Sequence, residues 1–196
     1  MAFSHSPSIV TSGLQLCLDA ANPNSYPGTG ATWYDLSGNN FDYDIINSPT
    51  YSNNSFTLNE TQGFRSSYNI TNSTLATVVL FYKTADTQEL WSTGQSNSYY
   101  LGASYGNNYY SSNAGSPVYY IDTVTQVNPS AFRNNIYHMW EAKNVNLSSW
   151  TRMWFFQYGS SWNMNGTVSM IMVYDRALTE GESTQNYQML KSRYGL

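Results

Sequence analysis

The sequence predicts an all-β jelly-roll sandwich of two antiparallel sheets, closed by one short C-terminal helix. Three observations carry that expectation. About a dozen short runs of β-branched and aromatic residues follow one another at regular spacing, separated by turn formers and without an internal repeat. Aromatic residues make up 16% of the chain and charged residues only 10%, a balance that favours pleated surfaces over solvated helices. Helical grammar appears once, in the last segment. At 196 residues the chain suits a single domain with a core large enough to do without disulfides, and no linker divides it. The expected organisation is an arm over residues 1–12 and one sandwich over 13–196.

The first eight residues hold Pro7 and little that can pack, hence the arm. Gly13 to Asp19 reads as the first strand, with Leu14, Leu16 and Leu18 on one face and Gln15, Cys17 and Asp19 on the other. Ala20 to Trp33 is dense in Pro and Gly and should be a long ordered loop anchored by Tyr26 and Trp33. A turn over Asp35 to Asn39 leads to a strand over Asp42 to Ile46, which Pro49 ends. Ser55 to Leu58 and Phe64 to Tyr68 are weaker strands. Leu75 to Lys83 is continuous, β-branched and aromatic, and so is expected at the centre of a sheet with both faces covered. Glu89 to Ser92 and Tyr99 to Ser104 read as a pair, and Tyr105 to Pro117 as a loop or loose hairpin tip. Strands follow at Val118 to Asp122, Val124 to Val127, Ile136 to Lys143 and Arg152 to Tyr158.

The end of the chain is the most ordered. Val168, Met170, Met172 and Tyr174 alternate with Ser169, Ile171, Val173 and Asp175, so both faces of this last strand are largely apolar and should be covered. Thr179 followed by Glu182 has the form of a capping box, in which hydroxyl and carboxylate each satisfy an unpaired N–H. A helix over about Glu180 to Ser192 would bury Tyr187, Leu190 and Tyr194. Lys191 and Arg193 stand at its negative end, and Gly195 stops it.

Charge and cysteine usage exclude several function classes. Eight basic against twelve acidic residues give a net charge of −4 with no Lys/Arg cluster, so neither nucleic acid nor a membrane surface is an expected partner. Cys17 is alone and reads as a packed small side chain. The N-terminus lacks the pattern of a secretory leader and no apolar run approaches a membrane span, so synthesis in a cytoplasm and a soluble product are expected. The 18 tyrosines among Asn, Ser and Thr form the adaptable mixture of binding surfaces.

The two ends carry a resemblance. Ile9 to Asn40, IVTSGLQLCLDAANPNSYPGTGATWYDLSGNN, and the terminal VYDRALTEGESTQNYQMLKSRYGL resemble the opening and closing blocks of the laminin G-like, concanavalin A-like lectin/glucanase domains found in bacteriophage virion proteins. The segment Trp162–Asn163–Met164–Asn165–Gly166 matches the family's pre-strand element only in part, and the middle of the chain carries no matching motif. The resemblance implies the jelly-roll fold and a non-enzymatic virion structural protein: a capsid decoration or cement protein, or a surface-displayed fibre component. Its partners would be other virion proteins and copies of itself, and its place the virion surface. The arm would then order against a neighbouring subunit or the capsid shell. The alternative is a carbohydrate-binding, lectin-like adhesion module.

Candidate sites follow from these readings. Glycoside hydrolysis needs two carboxyl groups flanking the sugar bond, and the glucanase pattern E-x-D-x-x-E is absent. Asp42 and Asp44 share a face, Glu180 and Glu182 belong to the cap, and Glu141 is a lone acid; no enzyme is expected. His138 reads as a strand residue with a satisfied imidazole. Tyr99, Tyr100, Tyr105, Asn107, Asn108, Tyr109 and Tyr110 are the candidates for glycan binding or for subunit contact, with ordinary cross-strand packing as the competing reading. No cofactor is expected apart from calcium, which the resemblance allows. The only local acid cluster that could hold it is Asp35, Asp42 and Asp44, which matches no fixed ligand pattern, and Asp as a simple turn former is the favoured reading there.

Overall fold

The computed structural model describes residues 8–59, 61–85, 88–89, 91–94, 96, 98–105, 108–125, 129–156 and 165–194. Its strands are β1 (Leu14–Asp19), β2 (Thr32–Trp33), β3 (Tyr43–Ile46), β4 (Thr50–Ser52), β5 (Ser55–Leu58), β6 (Gly63–Arg65), β7 (Ala76–Thr84) and β8 (Gln88–Glu89). They continue as β9 (Ser92–Thr93), β10 (Tyr100–Tyr105), β11 (Asn108–Ser112), β12 (Gly115–Ile121), β13 (Val124–Thr125), β14 (His138–Val145), β15 (Trp154–Phe155) and β16 (Gly166–Tyr174), before the helix α1 (Glu180–Tyr194). The first sheet runs β13-β12-β14-β7-β16-β5-β4, and β1 shares with β5 the same edge of β16. The second runs β11-β10-β9-β15-β6-β3-β2, with β8 against β10. Every pairing among the described residues is antiparallel, so the chain is the expected two-sheet sandwich of jelly-roll type with one C-terminal helix.

The core has two storeys. Between the sheets lie Leu16, Leu18, Trp33, Tyr43, Phe56, Phe64, Val78, Leu80, Tyr82, Trp91, Trp140, Phe155 and Val173, all fully buried. The other face of the first sheet presents Cys17, Val79, Phe81, Met139, Met170, Met172 and Tyr174 to Leu178, Met189 and Leu190. This is why β7 and β16 read as continuous apolar runs: each is covered on both sides, by the second sheet and by the helix.

Side-chain alternation departs from the sequence reading at two places. Val168 pairs with Tyr82 while Met170 pairs with Phe81, so Ser169 is an extra residue, a β-bulge. Val168 therefore joins Ile171 and Val173 between the sheets instead of Met170 and Met172 beneath the helix. The same happens in β1, where Leu14 pairs with Tyr174 and Leu16 with Val173; Leu14 packs under the helix and Leu16 between the sheets. The bulged Ser169 is fully buried, with its hydroxyl 2.6 Å from that of Ser55 and 3.1 Å from that of Tyr137.

Other boundaries moved for local reasons. Tyr105 to Pro117 is largely hairpin, because Tyr109 turns inward and stacks on Tyr119 with ring centroids 4.5 Å apart. Of the strand expected over Arg152 to Tyr158, the described residues form β15, and Gln157 and Tyr158 lie outside them. Phe156, at φ 57°, leaves the extended region and donates its N–H to the Trp91 carbonyl.

The helix starts as read. Glu182 N–H reaches the Thr179 hydroxyl and Thr179 N–H reaches the Glu182 carboxylate at 2.9 Å. Arg176 grips the same carboxylate with both guanidinium arms, at 2.9 and 2.6 Å. That grip, with the Thr179 N–H, pulls the Glu182 carboxyl down to about 2. At the other end Arg193 pairs with Asp19, whose carboxyl burial pushes up and Arg193 pulls back. Leu190 is buried as expected, but Ser183, Asn186 and Met189 form the rest of the buried face, with Tyr187 and Tyr194 half-covered. Glu141 lies fully buried beneath the helix, accepting from the Ser183 hydroxyl at 2.8 Å with Lys143 Nζ 3.7 Å away; desolvation raises its carboxyl above the usual range.

Residues 8–12 lie against their own chain. Val10 N–H donates to Asn186 Oδ1 at 2.9 Å, Asn186 Nδ2 donates to the Tyr174 hydroxyl at 3.1 Å, and that hydroxyl donates to the Val10 carbonyl at 3.0 Å. Gln185 adds a bond to the Ser8 carbonyl and Arg176 two to that of Ser12.

Candidate functional site

The second sheet has one face in the core and one turned outward. Trp33, Tyr43, Phe64, Phe155 and Leu101 point inward. Their strand neighbours Thr32, Asp44, Arg65, Trp154 and Tyr100 therefore point outward. The register lines these up in one row across the sheet. Ser112 opposes Tyr100, Tyr100 opposes Thr93, Thr93 opposes Trp154, Phe155 against Phe64 sets Trp154 beside Arg65, Arg65 opposes Asp44, and Asp44 opposes Thr32. With strands about 4.8 Å apart, Tyr100 to Asp44 spans about 19 Å.

Trp154 is the centre of the row. Its Nε1–H donates to the Ser66 carbonyl at 2.8 Å, while the Ser66 hydroxyl donates to the Met153 carbonyl at 3.1 Å. The buried Tyr43 hydroxyl donates to that Met153 carbonyl from behind the sheet at 2.8 Å, and burial holds its phenol above the usual range. The indole is thus fixed by two strands and by the core. Two guanidinium groups stack on it: Arg65 Cζ lies 4.6 Å and Arg152 Cζ 3.9 Å from the ring centroid. Arg152 Nε also donates to the Gly94 carbonyl at 3.2 Å. A guanidinium stacked on an indole keeps a fixed plane and so presents its N–H donors in fixed directions. Aromatic area beside oriented planar donors, an exposed carboxylate at Asp44 and hydroxyls at Thr32 and Ser112 make a shallow polar–aromatic surface.

The tyrosines and asparagines singled out by sequence are divided by this sheet. Tyr100 lies in the outward row, and Tyr110, in β11, is 49% exposed. Tyr109 points into the core, edge-on to Trp91 at 5.3 Å. Tyr99 packs edge-on against Trp150 at 6.1 Å. Tyr105 and Asn108 oppose each other across β10 and β11, and their side chains lie outside the described residues, as does Asn107 altogether. Sequence reading missed Arg65, Arg152 and Trp154. The signal was present in R-M-W-F and G-F-R: Arg152 and Trp154 are two apart, Phe64 and Phe155 mark the inward face, and the chain has only eight basic residues to place.

The three aspartates do not converge. Asp35 Oδ1 accepts from the Cys17 and Ser37 N–H groups, and its Oδ2 from the Ser37 hydroxyl and Phe41 N–H, at 2.7 to 3.1 Å. Asp42 accepts the Asp35 N–H at 2.9 Å, and Asp44 belongs to the outward row. Both Asp35 and Asp42 act as turn formers here. Among the described residues no group of three or more His, Cys, Asp or Glu side chains is placed to hold a metal ion. His138 has partners on both nitrogens, Asp122 at 2.6 Å and Asn134 at 3.3 Å.

No protein-family model and no curated protein matches the sequence. Solved structures do match. Trypanosoma rangeli sialidase in complex with sialic acid superposes with a TM-score of 0.60 at 13% identity, over 94% of this chain and 34% of that one. Domain 4 of AbnA, a GH43 extracellular arabinanase from Geobacillus stearothermophilus, in complex with arabinotriose, gives 0.59 at 13% identity, over 90% of this chain and 98% of the domain. The chain thus spans about a third of the sialidase and nearly all of the arabinanase domain. At such identity the likeness is one of fold, the β-sandwich. It gives no support to a laminin G or bacteriophage origin. It also corrects the expectation that the chain is no enzyme: the similar structures come from a sialidase and an arabinanase, so the sandwich is a fold found within glycoside hydrolases as well as in lectin-like domains.

Proposed function

We propose that this chain is a carbohydrate-binding β-sandwich module that holds glycans on the outward face of its second sheet. The observation that carries the reading is the Arg65–Trp154–Arg152 stack, held from below by Ser66 and Tyr43 and continued by Tyr100 and Asp44. A sugar ring offers an apolar C–H face and a rim of hydroxyls. Tyr100 and the indole edge supply contact area for the first, and the guanidinium and carboxylate groups supply hydrogen bonds for the second. A row of about 19 Å favours several sugar units of one chain over a single monosaccharide. The arabinotriose held by the similar arabinanase domain supports the same ligand class. A place on a virion, by contrast, rests on the resemblance of the two end blocks alone.

The test is a glycan array followed by calorimetry on the best ligand, with arabinotriose included. Trp154→Ala should weaken binding at least about tenfold, or ~1.4 kcal/mol, without lowering the unfolding temperature by more than a few degrees. Unchanged affinity in Trp154→Ala, or no saturable glycan ligand at all, overturns the proposal.

A further inference from the structure

We infer that the first sheet carries a second, separate saccharide subsite, selective for uncharged sugars, in the cleft where β5, β16 and β7 end. The cleft has a volume of about 490 Å³ and is lined by Thr57, Leu58, Thr84, Ala85, Asn135, Asn165, Gly166 and Thr167. Five of those side chains are hydroxyls or amides and none is charged. From the described lining residues a charged ligand would gain no counter-charge for the water it leaves, whereas a polyol exchanges water for matched hydroxyl and amide partners.

The lining is held in place by the sheet. Thr57 opposes Thr167, and Gly166 opposes both Leu58 and Thr84, so the cleft sits on three consecutive strands. The Thr57 and Thr167 hydroxyls are 3.2 Å apart. One hydrogen bond between them uses one donor and one lone pair, and each hydroxyl has further capacity of its own. The buried Thr84 donates its hydroxyl to the Asn165 carbonyl at 2.7 Å, and its own carbonyl accepts the Asn135 N–H at 3.0 Å. Asn135 sits at φ 61°, a conformation Asn tolerates better than most residues. Both rim amides are therefore fixed through their backbones to one residue at the end of β7. Leu58, 2% exposed, packs into the core between the sheets and anchors β5 there, and Gly166 leaves the middle strand without a side chain beside it. Lys83, the neighbour of Thr167 on β7, lies over the Tyr137 ring at 5.2 Å and is not among the lining residues.

The experiment is two-dimensional NMR of the full chain, titrated separately with arabinotriose, xylotriose, cellotriose, mannotriose and, as the acidic counterpart, trigalacturonate. The expected result is saturable movement of the Thr57, Thr84, Gly166 and Thr167 amides with at least one neutral trisaccharide. Thr57→Val/Thr167→Val, which keeps side-chain volume, should weaken that response about tenfold. Asn165→Ala should weaken it as well, and the spectrum itself reports that each variant is folded. Trp154→Ala should leave it unchanged, which separates this subsite from the outward row of the second sheet: either can fail while the other stands. No movement with any neutral sugar, equal or stronger movement with trigalacturonate, or full retention in both folded variants overturns the inference.

Discussion

Replacing Asn186 with Ala should detach the N-terminal segment from the helix, and the structure sets the size of the effect. The fully buried amide of Asn186 accepts the Val10 N–H and donates to the Tyr174 hydroxyl. Without it the Val10 N–H, on a residue 6% exposed, loses its acceptor, a loss of about 1–3 kcal/mol for a buried donor. The Tyr174 hydroxyl keeps the Val10 carbonyl and loses one donor, about 0.5–1.5 kcal/mol more. The sum is about 1.5–4.5 kcal/mol, a sizeable part of the ~5–15 kcal/mol that holds a domain together. Tyr174→Phe removes the remaining side of the same triangle and, again, the Asn186–Tyr174 bond that both variants lose. The double variant should therefore cost less than the two single variants added, by at least about 0.5 kcal/mol. Urea unfolding gives the global values, and hydrogen exchange at the Val10 amide shows whether the loss is confined to the segment. An Asn186→Ala protein within about 0.5 kcal/mol of the parent, with Val10 exchange unaltered, would refute the reasoning.

Acid titration tests the cap. The Glu182 carboxyl is depressed from 4.5 to about 2, first by Arg176 and then by the Thr179 N–H. A depressed carboxyl contributes stability that is complete above about 4.5 and lost as pH falls toward 2. Glu182→Gln should therefore cost about 1 kcal/mol at neutral pH and flatten the fall in unfolding temperature between those two values. Cys17 offers a third check. Burial, with Asp19 and Asp35 nearby, pushes its thiol up to about 12, so at pH 8 only about one thiol in ten thousand is thiolate. A chromogenic disulfide reagent should label it at the rate of global unfolding, and rapid labelling of the native protein would contradict the burial.

The fold was readable because its two storeys leave different marks in sequence. Val78 to Phe81 and Ile171 to Val173 are apolar at every position because each strand has two covers, and Thr179 with Glu182 announces the one helix that can supply the second cover. The bulges at Ser169 and Gln15 were hidden, since an extra residue shifts alternation without altering composition. The outward row was only half visible. Tyr100 stood out as one of many tyrosines, but Trp154 looked like core because Met153, Phe155 and Phe156 surround it in sequence. Only register shows that two arginines, 87 positions apart, meet on that indole. Tyr109 erred the other way: a polar neighbourhood of Asn and Ser concealed a ring that packs on Trp91 and Tyr119.

The extra link in β16 has an unexpected corollary for protein engineering. Val168 already faces the second sheet and Met170 already faces the helix, so excising Ser169 would leave every other side chain on its present side. The strand would become a regular ribbon, straighter by the coiling one surplus residue imparts. What would go is a knot of three hydroxyls and the carbonyl that catches the Ala20 N–H. Nine residues here spell an eight-residue pattern, and the ninth is punctuation.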